Sequence, residues 1–353
     1  MKLYLHIGLS KTGTTAIQNF LWNYRKKLLN DYSILYPNAG ISHRDIALAH
    51  HELAVSIYKP EEAKSVVVQD IREYEKKIIK EIEITSCNKI ILSSEVFMHI
   101  RFPDSYEKLK NFLNKITKDL TIIVYFRRQD IWHESSYSQV IKDYFIKESV
   151  SFNSSVSHSK SLTWLLFFDK FLSRWQAAFP NAQIIPRIYD RKLFPEGNVI
   201  LDFLSILGID MPEAKEYKIE SNPSLSHLST LVLRKINEKF DLSPEEHGKV
   251  VQYLFKLDRE EGSPLKTFFT LQERIEFLEH FRESNERFFR EWFGTENKFL
   301  LTEEEIKFYE EQDKIPMEYI EKMVEDRYRK VLVYMMEERV LPKHQLLEEK
   351  IWH

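Results

Sequence analysis

The segment of residues 5–18 constrains the fold of this chain more than any other. A short apolar stretch comes first, a loop with Gly8, Lys11 and Gly13 follows, and a helical pattern begins at Thr14. A strand, a glycine-containing loop and a helix in this order form an anion-binding cradle, because loop N–H groups and the positive helix end point at one place. The glycines allow a tight turn and a close approach of the backbone to the anion. The segment therefore predicts a ligand that contains phosphate or sulfate.

The position of the lysine separates this loop from an ATP-binding P-loop. A P-loop reads G-x-x-x-x-G-K-[ST], with the lysine directly after the second glycine. Here Gly8 and Gly13 have that separation, but Thr14 takes the position of the lysine and Lys11 lies inside the loop. The arrangement K-T-G-T-T after a strand resembles the 5′-phosphosulfate loop of sulfotransferases, whose donor is 3′-phosphoadenosine-5′-phosphosulfate (PAPS). A variant P-loop kinase and an ordinary turn before a helix are the alternatives.

A second motif strengthens the resemblance. Residues 120–126 form a continuous apolar run, which predicts a buried parallel strand, and Arg127 follows directly. An arginine at the carboxyl end of a strand faces the crevice where open α/β sheets bind ligands, and it can grip a phosphate with two hydrogen bonds. Sulfotransferases have an arginine here and a serine eight residues later, and Ser135 has that spacing. The resemblance implies that Arg127 and Ser135 hold the 3′-phosphate of PAPS.

Alternation of strands and helices predicts an α/β fold with a central parallel sheet flanked by helices, in the three-layer, P-loop-like arrangement. A largely helical C-terminal portion follows. The predicted strands are 2–7, 89–93, 120–126 and 182–189, and the predicted helices are 14–29, 61–84, 104–117, 128–146, 162–178 and 197–208. Val66 and Val67 are among the apolar positions of the second helix. Residues 30–58 and 149–160 are predicted to be irregular.

The resemblance covers roughly residues 2–296 and is loose outside the two nucleotide motifs. It implies a sulfotransferase domain over 1–296, with the donor-binding sheet mainly in 1–210 and a helical part in 222–296. Residues 297–353 are predicted to form a helical extension. Many sulfotransferases close over the nucleotide with an R-K-G-x-x-G-D-W-K segment, which this chain lacks. The residues that hold the adenine therefore stay unassigned.

Roles in the donor site follow from the resemblance and from charge. Negative charge grows on the leaving phosphate during transfer, so Lys11 is the first catalytic candidate. The donor contacts are expected from the loop and the first turn of the helix, namely Gly8, Lys11, Thr12, Gly13, Thr14 and Thr15. After transfer the donor leaves as 3′-phosphoadenosine-5′-phosphate (PAP). We expect no metal, because His50 and His51 are adjacent rather than at helical ligand spacing and the single Cys87 has no nearby partner.

The general base is open between two sites, and a third possibility is that neither is used. Glu95 follows the strand 89–93, at the edge where ligands bind. The pair His50 and His51 lies after the first helix, and histidine titrates near neutral pH. The catalytic candidates are therefore Lys11, Glu95 and His51. His6 lies in the first strand and is expected to be a structural core residue.

The acceptor is the least determined part of the function. Bacterial relatives of this type commonly act on glycans, so the resemblance implies a carbohydrate acceptor and glycan modification. A phenol, a lipid and a small alcohol are the alternatives. Tyr36 and His50 are candidate acceptor-binding residues. Three further aromatic residues could stack on sugars, although aromatics at helical spacing more often lie in the core: Trp132, Tyr137 and Tyr144.

Composition limits the partners. A net charge of −3 predicts no nucleic-acid partner, and no apolar run approaches the length of a membrane span. With one cysteine and a first strand that begins beside Met1, we expect a cytoplasmic enzyme, of bacterial type, without a leader or anchor. The mixed acidic and basic helices after residue 300 are expected to allow oligomers.

Two other classes of function remain open. A P-loop kinase or nucleotide hydrolase would bind ATP with Mg²⁺ and would need an acidic metal ligand at a strand end, for which Glu95 is the candidate. A non-catalytic binding or assembly protein would use the helices after residue 300 and would tolerate changes in the donor site.

Overall fold

Apolar, β-branched segments form the strands of one parallel sheet. The computed structural model describes residues 1–42, 47–57, 70–144, 146–218 and 224–340. Within these residues the sheet has five strands, and helices flank it, so the predicted α/β class with a helical C-terminal part is confirmed. The strands are Lys2–His6 (β1), Ile34–Leu35 (β2), Lys89–Ser93 (β3), Asp119–Phe126 (β4) and Gln183–Ile188 (β5).

The α-helices lie between the strands and after the last strand along the chain. They are Thr14–Asn23 (α1), Arg25–Tyr32 (α2), His51–Ile57 (α3), Ile71–Thr85 (α4), Pro103–Ile116 (α5), Gln129–Lys142 (α6), Phe152–Ser161 (α7), Phe168–Ala178 (α8), Val199–Leu207 (α9), Glu213–Glu216 (α10), His227–Lys239 (α11), Pro244–Glu261 (α12), Leu271–Glu279 (α13), Arg282–Phe293 (α14), Glu303–Asp313 (α15) and Met317–Glu337 (α16). Short 3₁₀ helices cover Glu95–His99, Arg191–Leu193 and Pro195–Gly197.

The order of the strands in the sheet is β2-β3-β1-β4-β5. The register places Leu3 of β1 beside Ile90 of β3 on one side and Leu120 of β4 on the other. Strand β1 is therefore central, with β3 paired on one side of it and β4 on the other. In parallel α/β sheets this is the point where a crevice opens at the carboxyl ends of the strands. The loop after β1 lies at that edge.

The chain divides into two compact units. The first contains Met1–Arg127, Thr163–Ser221 and Arg287–Thr295, and the second contains Arg128–Leu162, Asn222–Glu286 and Glu296–His353. The first unit carries the whole sheet. Helix α1 packs its apolar face, Ile17, Phe20 and Leu21, into the core on one side of the sheet. Burial of these side chains stabilises the helix that begins at the candidate loop.

The second unit is helical in its described residues. It contains α6, α11, α12 and α16, with α15 in the same unit. Its core holds a buried arginine, Arg274, which is fully buried and bonds to Asp130 and to Glu134. Arg128 also bonds to Asp130, at 2.7 Å. These charges are paired inside the unit, as buried charges must be.

Several predicted elements have different bounds in the structure. The helix predicted at 14–29 is two helices, because the chain bends at Tyr24, whose φ and ψ are −101° and 11°. The prediction that 30–58 is irregular is wrong in three places. Helix α2 extends to Tyr32. Ile34–Leu35 pairs with β3 as an edge strand, and His51–Ile57 is helical. The pairing of a two-residue strand depends on a distant partner, which the local sequence does not reveal.

The prediction of a loop at 149–160 is also wrong. Phe152–Ser161 is helix α7, and the Ser151 side chain caps it by accepting a hydrogen bond from the N–H of Ser154. The hydroxyl of Ser159 lies 2.7 Å from Nδ1 of His133. This buried hydrogen bond joins the serine-rich helix α7 to α6. The part of the predicted helix 61–84 that contains Val66 and Val67 lies outside the described residues.

Candidate functional site

The loop after β1 begins with an extension of the sheet. The N–H of Ile7 donates to the carbonyl of Ile123 at 3.0 Å, and that of Leu9 donates to Tyr125 at 3.1 Å. The Thr12 hydroxyl donates to the carbonyl of Leu9, which closes the loop on itself. Because Thr12 is fully buried, its side chain shapes the loop. The predicted contact of Thr12 with the donor would therefore be made by its backbone.

Two glycines let neighbouring side chains approach the loop. Gly8 has a φ of 95°, and a Cβ there would lie 3.0 Å from the Cβ of Glu95. Gly13 has a φ of 77°, and a Cβ there would lie 2.8 Å from a ring carbon of Tyr189. Both the left-handed backbone and the close contacts require glycine. The loop therefore lies between Glu95 and Tyr189.

Lys11 and Arg127 meet at the backbone of this loop. Lys11 adopts a left-handed conformation with a φ of 63°, which is uncommon for a side chain other than glycine. Arg127, directly after β4, donates from Nη1 to the carbonyl of Lys11 at 3.2 Å. Its guanidinium carbon lies 5.7 Å from the ring centroid of Tyr189. The two cationic residues predicted for the donor are thus brought to one loop.

Helix α1 begins directly after the loop. Gly13 is its N-cap, and in the described chain no side chain caps this end and no acidic residue lies in its first turn. Thr14 is buried and Thr15 is partly exposed. Backbone N–H groups at a helix start attract anions. The loop leads directly into this helix start, as the sequence predicts, and its binding of an anion stays a prediction.

Ser135 lies on α6, in the second unit, whereas the loop and Arg127 belong to the first. Its side chain is partly exposed. The pairing of Ser135 with Arg127 around a 3′-phosphate stays a prediction.

Glu95 and His51 lie beside each other at the same edge. Nε2 of His51 is 3.9 Å from Oε2 of Glu95, and the side chains are 13% and 22% exposed. Nδ1 of His51 is 2.7 Å from the hydroxyl of Ser94, which also accepts the N–H of Val96 at 3.1 Å. Ser94 therefore fixes the imidazole with Nε2 turned towards the carboxylate. Both candidate bases belong to one arrangement.

His50 is held inside the core. Its Nδ1 accepts the N–H of Ser93 at 3.2 Å, so Nε2 carries the proton and donates to the carbonyl of Pro37 at 3.0 Å. Burial lowers the pKa of His50 to about 3. Because both ring nitrogens are engaged in a buried side chain, His50 fastens the chain to the end of β3. It has no ring nitrogen left for the acceptor that the sequence assigned to it.

Tyr36 is buried as well. Its hydroxyl donates to the carbonyl of Leu48 at 2.9 Å, and its ring packs edge-on against His50. Burial, and secondly the charge of Glu95, raise the pKa of Tyr36 well above its ordinary value. The geometry gives Tyr36 a supporting position behind the site. Its predicted contact with an acceptor has no exposed surface to use, since the side chain is 2% exposed.

His6 is a core residue, as predicted. It is fully buried, its Nδ1 lies 2.8 Å from the hydroxyl of Ser93, and its ring packs against Tyr125 and Phe203. Burial lowers the pKa of His6 to about 3, so it is neutral at pH 7.

Sequence reasoning gave no role to three residues at this edge. Gln18 of α1 donates to Glu95, Ser94 holds His51, and Tyr189 follows β5 and faces Gly13. Gln18 follows Thr14 by one helical turn, and Tyr189 is the last residue of a predicted strand, so their positions carried a signal. For Ser94 the signal was its place between Ser93 and Glu95 at the strand end.

The other candidate groups are as follows. Trp132 and Tyr137 are buried on α6 and belong to the core, as the general tendency of aromatics predicts. Among the described residues, no group of three or more His, Cys, Asp or Glu side chains could hold a metal ion.

Comparison with other proteins gives one relative. A protein of Archaeoglobus fulgidus, described as uncharacterized, is 56% identical over 260 residues, which are 73% of this chain and 68% of that protein. The chain belongs to the same family as this archaeal protein. No sequence profile of a known protein family matches the chain, and no solved structure matches it. In the described segments, no helix is long and apolar enough to cross a membrane.

Proposed function

We propose that this protein is a sulfotransferase that moves the sulfuryl group of PAPS to a hydroxyl group, with a carbohydrate as the acceptor. One observation carries the proposal. Lys11 lies inside a glycine-bounded loop between β1 and α1, and Arg127 binds the carbonyl of the same residue at 3.2 Å. An ATP-binding P-loop would place its lysine at the position of Thr14.

The residues of the loop fit an anionic donor. Gly8 and Gly13 keep the backbone open, and the start of α1 has no side-chain cap in the described chain. The N–H groups of Gly13, Thr14 and Thr15 would bind the 5′-phosphate, and Arg127 would bind the 3′-phosphate. Arginine suits that role because its planar fork matches a phosphate.

Lys11 would act on the leaving group. In the transfer, the acceptor oxygen forms a bond to sulfur, and the bond between sulfur and the bridging phosphate oxygen breaks. The electron pair of that bond goes to the phosphate of PAP. The Lys11 ammonium would stabilise this growing charge, which is larger in the transition state than in the ground state.

Glu95 and His51 would take the proton of the acceptor hydroxyl. A general base must lie within hydrogen-bond reach of the proton that it removes. The two side chains are partly exposed beside Gly8, at the loop that would hold the donor. Either group completes the balance, since the hydroxyl loses its proton as its oxygen bonds to sulfur.

The proposed carbohydrate acceptor follows from the resemblance to sulfotransferases of this type. A kinase or nucleotide hydrolase would instead require Mg²⁺ to neutralise a more highly charged phosphoryl group. An assembly protein would require no ligand in the loop. We further propose a cytoplasmic location, since the chain has a single cysteine, Cys87.

A thermal-shift experiment tests the proposal. The melting temperature is measured in buffer, with PAP in EDTA, and with ATP plus Mg²⁺, because a ligand of the folded state raises it. We expect a rise with PAP without metal, and its loss in the Arg127→Ala variant. A rise with ATP and Mg²⁺ alone would favour the kinase, and no rise with either nucleotide would favour an assembly protein.

A further inference from the structure

Gln18 links the helix of the candidate donor site to Glu95. Its side chain is fully buried on α1. The amide Nε2 donates to Oε2 of Glu95 at 2.8 Å and lies 3.2 Å from the hydroxyl of Ser93. A carboxylate only accepts hydrogen bonds, so the nitrogen of the amide must face Glu95.

Gln18 and His51 approach the same oxygen of Glu95. The same Oε2 of Glu95 that accepts from Gln18 lies 3.9 Å from Nε2 of His51. On its other side, Glu95 packs against Gly8, where no Cβ would fit without a shift. Gly8 thus packs against the Cα and Cβ of Glu95, and the hydrogen bond from Gln18 limits the rotation of its carboxylate.

The amide oxygen of Gln18 does not explain why a glutamine occupies this position. Oε1 of Gln18 is buried and has no hydrogen-bond partner among the described residues. A buried acceptor without a partner costs stability, whereas an apolar side chain of similar volume would avoid that cost. The contribution that only an amide can make at this position is donation to Glu95 and Ser93.

We propose that Gln18 is a positioning residue for the proton-accepting pair, which it serves by holding the Glu95 carboxylate beside His51. This inference rests on the proposed sulfotransferase function. Gln18 follows Thr14 by one helical turn on α1. The helix that would bind the donor phosphate at its start therefore also sets the carboxylate that would meet the acceptor hydroxyl.

The test compares Gln18→Met, Glu95→Gln and the double variant by PAP release from PAPS with water as the acceptor. We expect Gln18→Met to lower kcat roughly 10- to 100-fold, the usual cost of a misplaced catalytic group. The KM for PAPS and the affinity for PAP should stay within about twofold, since the donor loop is intact. In the Glu95→Gln background, Gln18→Met should have no further effect on kcat, because residues that act as one unit are not additive.

The control is Gln176→Met, the same chemical change at a partly exposed amide of α8. It should leave kcat unchanged. A second measurement keeps the test decisive if Gln18→Met unfolds. Gln18→Glu keeps the shape but sets two carboxylates against each other, so its melting temperature should fall. Adding Glu95→Gln exchanges donor and acceptor and should recover part of the loss.

The possible failures are distinguishable. If the wild type neither binds PAP nor releases it from PAPS, the proposed function is wrong, whatever the variants do. If the wild type is active and Gln18→Met has the same kcat, or lowers it equally with and without Glu95→Gln, the positioning role is overturned. The same holds if the exchanged pair is no more stable than Gln18→Glu alone.

Discussion

Nε2 of His51 lies 3.9 Å from Oε2 of Glu95. The sequence presents these two residues as rival bases, because they are far apart along the chain. The structure makes them neighbours, with Ser94 on the far nitrogen of the imidazole at 2.7 Å and Gln18 on the carboxylate at 2.8 Å. A substitution of either residue should therefore change the position and the electrostatic surroundings of the other side chain.

The first prediction concerns this pair. If Glu95 takes the proton, Glu95→Gln should keep the side-chain shape and PAP affinity but lower the rate of PAP release from PAPS roughly 10²- to 10⁴-fold. His51→Asn should then have a smaller effect. If His51 is the base, the two variants exchange their effects.

The measurement is the initial rate of PAP release, with PAP affinity from calorimetry as the control for an intact donor site. Full activity in both variants would exclude the pair as the base, which is the third possibility left open by the sequence.

The second prediction concerns Lys11. Lys11→Ala should lower the rate of PAP release roughly 10²- to 10³-fold, the usual loss for one group that stabilises transition-state charge. Lys11→Arg should also fail, because a planar guanidinium does not replace a compact ammonium in a tight loop. Lys118→Ala is the control, since Lys118 is exposed just before β4, at the opposite edge of the sheet. Near-normal release by the Lys11→Arg variant would contradict the proposed geometry.

The third prediction concerns the donor affinity. Arg127→Ala removes a charge-assisted phosphate contact of about 1.5–3 kcal/mol, so the Kd for PAP should rise about 10- to 100-fold. Ser135→Ala should act in the same direction with about 0.5–1.5 kcal/mol. Calorimetry with PAP measures both. Arg329→Ala, which removes a half-exposed arginine of α16, should leave the affinity unchanged. An unchanged affinity in Arg127→Ala would remove Arg127 from the donor site.

The fourth prediction compares two glycines with similar backbones. Gly13 and Gly208 have φ values of 77° and 68°, but only at Gly13 would a Cβ meet other atoms. Gly208→Ala should therefore cost only the left-handed backbone, about 1–2 kcal/mol. Gly13→Ala should cost more and should weaken PAP binding, because Tyr189 or the loop must move. Urea unfolding and calorimetry check both effects, and equal losses of stability with unchanged PAP affinity would contradict this reading.

The fifth prediction concerns pH. Burial lowers the pKa of His6 and of His50 to about 3, whereas the unfolded value is about 6.5. Between these values the unfolded state binds more protons than the folded state, so the free energy of unfolding falls as the pH falls. Each buried histidine should remove about 2 kcal/mol between pH 7 and pH 5.

Urea unfolding of His50→Gln at the two pH values tests this. The loss of stability between pH 7 and pH 5 should be smaller than in the wild type by about the share of one histidine. His158→Gln, at an exposed position of α7, is the control and should keep the wild-type dependence. An unchanged pH dependence in His50→Gln would show that His50 takes up a proton in the folded state.

The long apolar strands were predictable from sequence, and short elements were not. The apolar run of residues 120–126 predicts a strand, and the structure has β4 at Asp119–Phe126. Ile34–Leu35 is too short for any periodic signal and becomes a strand only through its pairing with Lys89 and Ile90. Helix α7 lies in a serine-rich segment, and its cap and its contact with His133 come from positions that composition does not weigh.

For the candidate site, spacing predicted a strand, a loop with Gly8, Lys11 and Gly13, and a helix, since these positions depend on neighbours in the chain. His50 and His51 show the opposite case. They are adjacent in sequence, yet one ring is sealed in the core by Ser93 and Pro37 and the other faces Glu95. Adjacent residues at a helix start point in different directions, and only the packing around them decides which one reaches the surface.

The sequence by itself determined the strand, loop and helix of residues 5–18 and the parallel α/β class, because local propensity and hydrophobic periodicity are properties of neighbouring residues. Only the tertiary structure decided that Arg127 binds the carbonyl of Lys11, and that Gln18 and His51 meet at one oxygen of Glu95. Those contacts join residues far apart in the chain. Their geometry depends on the order β3-β1-β4 at the centre of the sheet, which brings three strand ends to one edge.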